Sequence, residues 1–198
     1  GYEFKAKEWR TEGYISAPLS DTLGVRIAGS YSDMKGWARN VVPRDFPNAA
    51  ALGIYPSDHT RAPNKQDWAI RGTIKYDDGD RFNARLKMTY SKVKDTTSST
   101  GNTQFVSCPL GRPQNSIGLP AGAYIDNCRA DNLNSVAGSN GDNLQILFPE
   151  KDWNGGHLFL KQYQFLGSLE MNYDVTDSVT LTSVTGFYKQ NLDNLGNF

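Results

Sequence analysis

The sequence predicts an all-β fold in which about seven consecutive strands form one antiparallel, up-and-down sheet. Three observations predict it. Apolar and polar residues alternate with a period of two in several windows, whereas no window of useful length has helical periodicity. Short and long connections alternate along the chain. Aromatic side chains, which make up 12% of the residues, recur near the ends of the alternating windows.

The alternating windows follow one another along the chain. The pattern is cleanest in residues 82–90, where Phe82, Leu86 and Tyr90 fall on one side of the strand and the polar residues on the other. The other predicted strands are residues 2–7, 13–19, 23–32, 68–76, 165–173 and 179–189. Most have one apolar and one polar side, as half-buried strands do, although the threonine-rich last window has no clear sidedness.

The connections between these windows differ sharply in length. Tight turns rich in Asp, Gly and Ser are predicted near residues 20–21, 77–80 and 174–178, with a further small turn near residues 9–12. Two connections, residues 36–67 and 92–162, are very long. In an up-and-down sheet the three tight turns lie at one edge and the long loops at the opposite edge. This asymmetry is typical of bacterial outer-membrane barrels.

The positions of the aromatic residues bear on whether the sheet meets water or lipid. Two groups form near opposite strand ends: Tyr31, Trp68 and Tyr90 towards the long loops, and Tyr76, Phe82 and Tyr173 towards the tight turns. They resemble the two interfacial girdles of a membrane barrel. We therefore predict a transmembrane antiparallel β-barrel, of which residues 1–198 form a partial wall with two long extracellular loops. A soluble β-sandwich that binds carbohydrate is the alternative, because its strands alternate in the same way.

Composition and motifs exclude several functions. The 21 basic and 21 acidic residues cancel, so the chain lacks the basic field that nucleic-acid binding requires. No apolar run approaches the length of a transmembrane helix. The two histidines, His59 and His157, are not spaced as metal ligands, and no nucleotide-binding or nucleophile motif is present. We expect no enzyme activity, no metal and no cofactor.

The two cysteines, Cys108 and Cys128, lie in a polar stretch rich in Gly, Pro and Asn. No second pair is nearby to complete a zinc site. We therefore predict a disulfide, which would place this segment in an oxidising compartment such as the periplasm or the cell surface. Two unrelated free thiols are the alternative.

Three stretches resemble TonB-dependent outer-membrane receptors, the active-transport barrels of Gram-negative bacteria. Residues 17–26, Ala-Pro-Leu-Ser-Asp-Thr-Leu-Gly-Val-Arg, are similar to a turn and following strand of that family. Residues 86–96 resemble a strand that ends in Tyr-Ser before a long outer loop. Residues 181–187, Leu-Thr-Ser-Val-Thr-Gly-Phe, resemble a third strand. The matches span nearly the whole chain except the long loops.

The resemblance implies a barrel of roughly twenty-two strands in the outer membrane, closed by a plug domain. It also implies energy coupling through the TonB–ExbB–ExbD system and uptake of a scarce nutrient such as an iron siderophore, a vitamin or a carbohydrate. Because only about seven strands are present here, we expect this chain to be an early part of a longer protein, without the plug and its TonB box. A passive porin is the alternative form of transport.

Candidate functional residues fall into two groups. Alternation predicts that Arg26, Arg71, Arg85 and Lys87 face the lumen while Ile27, Ile70, Leu86 and Leu169 face lipid. The second group could contact a solute by stacking or by anion contact in the loops. It consists of Trp37, Arg39, His59, Arg61, Trp153, His157 and Tyr163. Exposed arginines and aromatics are also ordinary loop content, so each of these is a candidate only.

Overall fold

A computed structural model of the chain describes residues 1–40, 54–56, 59–97, 129, 132–134, 137–139 and 146–196. Their strands, in chain order, are β1 (Tyr2–Glu3), β2 (Glu8–Pro18), β3 (Leu23–Met34), β4 (Ala38–Asn40), β5 (Ile54–Pro56), β6 (Arg61–Ala62), β7 (Lys65–Asp77), β8 (Phe82–Asp95), β9 (Leu133–Asn134), β10 (Ala137–Ser139), β11 (Phe159–Thr176) and β12 (Val179–Leu195). A short 3-10 helix spans Asn154–Gly156. Within these residues, no helix is both long and apolar enough to cross a membrane.

Seven of these strands form one sheet in the order β1-β2-β3-β7-β8-β11-β12. Every neighbouring pair in it is antiparallel, and the order in the sheet follows the order in the chain. The prediction of an all-β, antiparallel, up-and-down sheet of about seven strands is therefore confirmed. Two small sheets, β10-β5 and β6-β4-β9, are built from the connections that precede β7 and β11.

The three tight turns lie side by side at one end of the strands, which we call the turn rim. Backbone bonds link them: the amide of Asp77 donates to Thr22 O at 2.9 Å, and the amide of Asp174 donates to Arg81 O at 2.9 Å. In the central turn the Asp78 carboxylate accepts hydrogen bonds from the backbone amides of Asp80 and Phe82. That acidic stretch is a hairpin turn, as predicted. The opposite end of the strands, where the long connections begin, is the loop rim.

Several predicted boundaries are wrong by a few residues. Residues 4–7, predicted as strand, form a turn in which Lys7 has a positive φ of 52°. The small turn predicted near residues 9–12 is strand, because the backbone of β2 pairs with β3 from Glu8 onwards. Strand pairing also continues through polar residues at the loop rim, so β8 runs to Asp95 and β11 begins at Phe159. The long connections are accordingly shorter than residues 36–67 and 92–162.

One side of the sheet is a continuous apolar surface, which we call the apolar face. Residues directly opposite each other in paired strands point to the same side, so the pairing fixes sidedness. One row crosses six strands as Ile15, Ile27, Gly72, Met88, Gly167 and Phe187. The next row towards the turn rim contains Ala17, Val25, Ile74, Leu86, Leu169 and Thr185.

The apolar face is not covered by a second layer within the described residues. Ile27 is 54% exposed and Ile70 is 48% exposed, while Leu86 and Met171 are half-buried by neighbours on the same face. Buried side chains lie elsewhere: Ala62 and Leu158 form a small cluster with Leu195 at the loop rim. Among the described residues, the buried core therefore lies beyond the strand ends at the loop rim. The apolar face of the sheet has no second layer packed against it.

Candidate functional site

The other side of the sheet, the polar face, carries the cationic residues that the sequence predicts for one side. Arg26 is opposite Thr73, which is opposite Lys87, so these three share a row. Arg71 and Arg85 lie two residues away from that row on their own strands and therefore point to the same side. The four cations therefore share one face, opposite Ile27, Ile70, Leu86 and Leu169. That the first face lines a lumen and the second meets lipid stays a prediction.

A cavity of about 690 Å³ lies on the polar face between β2, β3, β7 and β8. The polar residues that line it are Glu12, Tyr14, Arg26, Ser30, Arg71 and Thr89. A smaller cavity of about 340 Å³ adjoins it towards the turn rim and shares Arg26. Most of the residues that line these two cavities belong to the polar face.

Two arginines in the larger cavity are held by neutral partners. The guanidinium carbon of Arg26 lies 3.9 Å from the centroid of the Tyr14 ring, a cation–π contact. Arg71 Nε donates a hydrogen bond to Thr89 Oγ1 at 3.1 Å. A phenol ring and a hydroxyl orient a guanidinium without cancelling its charge. Among the described ion pairs, none includes Arg26, Arg71 or Lys87.

The neighbouring cations on the same face are paired with carboxylates. Arg85 and Glu170 are 2.6 Å apart across β8 and β11, and Lys75 lies 3.1 Å from Asp77 on its own strand. Among the described residues of this face, the positive charge outside carboxylate contacts is therefore concentrated at Arg26 and Arg71. Lys87 interacts with the Glu170 carboxylate without forming an ion pair.

Four of the predicted solute-contacting residues gather at the base of the first long loop. Arg39 in β4 is opposite Arg61 in β6, with Trp37 next to them. Arg61 donates to Gly36 O at 2.6 Å, to Lys5 O at 2.8 Å and to Trp37 O at 3.5 Å. Because these carbonyls occupy its donors, Arg61 holds the loop base together. His59 Nε2 lies 2.8 Å from Thr96 Oγ1 and joins the loop to the end of β8.

The other three candidates are separate from that cluster. Trp153 donates its indole Nε1–H to Phe148 O at 3.0 Å, and their rings lie 5.7 Å apart. His157 is half-buried just after the 3-10 helix. Tyr163 was predicted as a loop residue, which is wrong: it lies in β11, opposite Lys92, which is opposite Trp68. Tyr163 therefore belongs to the apolar face and not to a solute-facing loop surface.

Sequence reasoning missed four of the polar residues that line the cavity, namely Glu12, Tyr14, Ser30 and Thr89. Glu12 was missed because β2 was predicted to begin only at residue 13, and the other three because they carry no charge. The alternation of Glu12, Tyr14 and Ser16 along β2, combined with the pairing of Tyr14 with Ala28, is the signal that locates them on the polar face.

The remaining expectations concern metals and the cysteines. No cluster of His, Cys, Asp or Glu suited to a metal ion occurs within the described ranges. Cys108 and Cys128 lie outside the described residues, so their pairing stays a prediction.

Comparison with protein-family models, with curated proteins and with solved structures finds no match to this chain.

Proposed function

We propose that this chain forms part of the wall of a transmembrane barrel in the outer membrane of a Gram-negative bacterium. In this proposal the barrel is of the TonB-dependent type and actively takes up a scarce nutrient. The observation that carries the proposal is a single antiparallel sheet of seven strands. Within the described residues its apolar face is uncovered, while its polar face lines a cavity. A protein that lives wholly in water rarely exposes so large a contiguous apolar surface.

The aromatic residues support a lipid contact for the apolar face. Trp68 and Tyr90 lie 5.4 Å apart, ring centroid to ring centroid, near the loop rim, and Tyr76 and Phe82 lie 6.1 Å apart near the turn rim. Tyr76 is eight positions after Trp68 along β7, about 27 Å at ~3.4 Å per residue. At the strand tilt of barrels, about 35 to 45°, this is a height of about 19 to 22 Å. An apolar band of about 25 Å between aromatic girdles is characteristic of outer-membrane barrels. The side chains between the girdles are those expected to face acyl chains.

The sheet edges support a barrel as the environment of this wall. Among the described residues, β12 pairs only with β11, and it exposes its other edge along most of Val179–Leu195. A long unpaired edge is a template for aggregation, and barrels remove it by closing the sheet. Unpaired backbone groups are also too costly in the hydrocarbon core of a bilayer. Further strands against β12 would meet both demands.

The loop rim supports a binding vestibule on the outer side. Short turns at one rim and longer loops at the other are the arrangement of bacterial outer-membrane barrels. Arg39 and Trp153 lie at this rim with side chains that remain partly accessible. In the proposal they belong to the vestibule through which the solute enters.

Two tests separate this proposal from its alternatives. In a Gram-negative host that expresses the complete protein, density separation of membranes should place it in the outer-membrane fraction. Recovery as a monodisperse soluble protein without detergent would favour the β-sandwich.

In the second test, uptake of the solute by such cells should stop when a protonophore collapses the inner-membrane potential, since TonB coupling needs that potential. Uptake that persists would favour a passive porin.

A further inference from the structure

The polar face carries a group of positive charges that a structural wall does not require. Arg26, Arg71 and Lys87 occupy adjacent positions on three neighbouring strands, because Arg26 and Lys87 share a row through Thr73 and Arg71 lies two residues from Thr73. Side chains in such diagonal positions are anchored about 7 to 8 Å apart. Glu12 is the one carboxylate among the residues that line the cavity. The cavity therefore has an excess of positive charge.

The depth of these residues makes the charge informative. Arg71 is three residues from Trp68 and five from Tyr76 along β7, so it lies between the two aromatic rows. Ionisable residues that lie within the membrane-spanning part of a protein and face a water-filled cavity mark solute or ion pathways. Arginines and lysines that line a lumen favour anions. The cation–π contact of Arg26 and the hydrogen bond of Arg71 fix their guanidinium groups without an ion pair, so the excess positive charge of the cavity remains.

We propose that this part of the polar face binds a small anionic solute of the carboxylate or phosphate class through Arg26 and Arg71. Guanidinium groups present paired N–H donors that match the two oxygens of a carboxylate or phosphate. This inference rests on the proposed function in one respect, namely that the polar face lines the path of the solute. It adds to the proposed function that the transported solute is negatively charged.

The test is calorimetric titration of the complete detergent-solubilised protein with inorganic phosphate, with sodium chloride at matched ionic strength as the blank. Arg71→Gln and Arg26→Gln should each weaken phosphate binding about tenfold, the loss expected for one charge-assisted hydrogen-bond partner. The matched control is the double variant Arg85→Gln, Glu170→Gln, which removes a neutralised pair from the same face. Its phosphate affinity should remain within about twofold of the parent, because the pair contributes no net charge.

Two further variants separate a built site from a diffuse positive field. Arg71→Lys keeps the charge but loses the paired donors, so it should also weaken binding. Tyr14→Leu removes the ring beneath Arg26 and should weaken binding, whereas Tyr14→Phe should not. Unchanged affinity in Arg71→Lys would mean that net charge alone attracts phosphate, which overturns the proposal. The proposal is equally overturned if Arg71→Gln lowers the unfolding temperature but leaves phosphate binding intact, since another segment of the protein would then occupy the arginines.

The same preparations distinguish failure of this inference from failure of the proposed function. If the protein inserts into lipid vesicles but binds phosphate no better than chloride, the anion site is refuted and the barrel stands. If it binds phosphate through Arg26 and Arg71 but is monodisperse in buffer without detergent or lipid, the barrel is refuted and the anion site stands.

Discussion

Leu86→Arg is the substitution that most sharply separates a lipid-facing sheet from a water-facing one. Leu86 lies on the apolar face between Ile74 and Leu169, to which it is paired on either side. Along β8 it is four residues from Phe82 and four from Tyr90, so it lies midway between the aromatic rows. An arginine at the midplane of a barrel's lipid face costs about 2 to 4 kcal/mol. The folding equilibrium should then fall about 30- to 900-fold.

The assay is urea-dependent folding of the complete protein in phospholipid vesicles, followed by tryptophan fluorescence. The control is Lys87→Gln, one residue away on the polar face, which should change the free energy of unfolding by no more than about 0.5 kcal/mol. On a water-exposed surface, Leu86→Arg would fall within that same small range. Equal free-energy changes for the two variants would refute the assignment of the apolar face to lipid.

Two other predictions concern the loops. Gly36 has a φ of +112°, and an added Cβ would overlap the backbone of Ala62. Gly36→Ala should therefore destabilise the loop base by about 1 to 3 kcal/mol. The measurement is amide hydrogen exchange at the loop base, which should become faster. Gly72→Ala is its control, because an added Cβ meets nothing within 4 Å, and equal exchange in the two variants would contradict the prediction. Cys108 and Cys128 should form a disulfide around nineteen residues, 109–127, which would stabilise the loop by about 3 kcal/mol in the chain-entropy model. Thiol labelling of the unreduced protein at both cysteines would show this pairing to be wrong.

Sidedness could be predicted from the sequence because it needs only the period of two. The separation of Arg85 from Leu86, or of Arg71 from Ile70, holds in any antiparallel register that keeps one face apolar. The predicted aromatic rows follow from the same alternation. Strand ends could not be predicted in this way. Polar residues at the loop rim look like loop in the sequence, yet their backbone groups are satisfied by the neighbouring strand. Tyr163 was misassigned for that reason.

The cavity could be predicted only in part. Arg26 and Arg71 were predicted on the correct face, but their partners depend on which residues of different strands meet. Tyr14 is next to Arg26 because β2 pairs with β3 in a register that sets Tyr14 opposite Ala28. That register brings together residues a dozen positions apart, and alternation within one strand carries no information about it. Thr89 reaches Arg71 through pairing of the same kind between β7 and β8.

The measurement that tests the central claim most directly is quenching of Trp68 by lipids with brominated acyl chains. The complete protein would carry Phe at Trp9, Trp37 and Trp153, so that Trp68 is the only fluorophore of its kind in this region, and a matched variant would retain Trp153 instead. Brominated vesicles should strongly quench Trp68, which lies on the apolar face, and leave Trp153 in the long loop nearly unaffected. Strong quenching of Trp68 by aqueous acrylamide, with none by brominated lipid, would contradict the account.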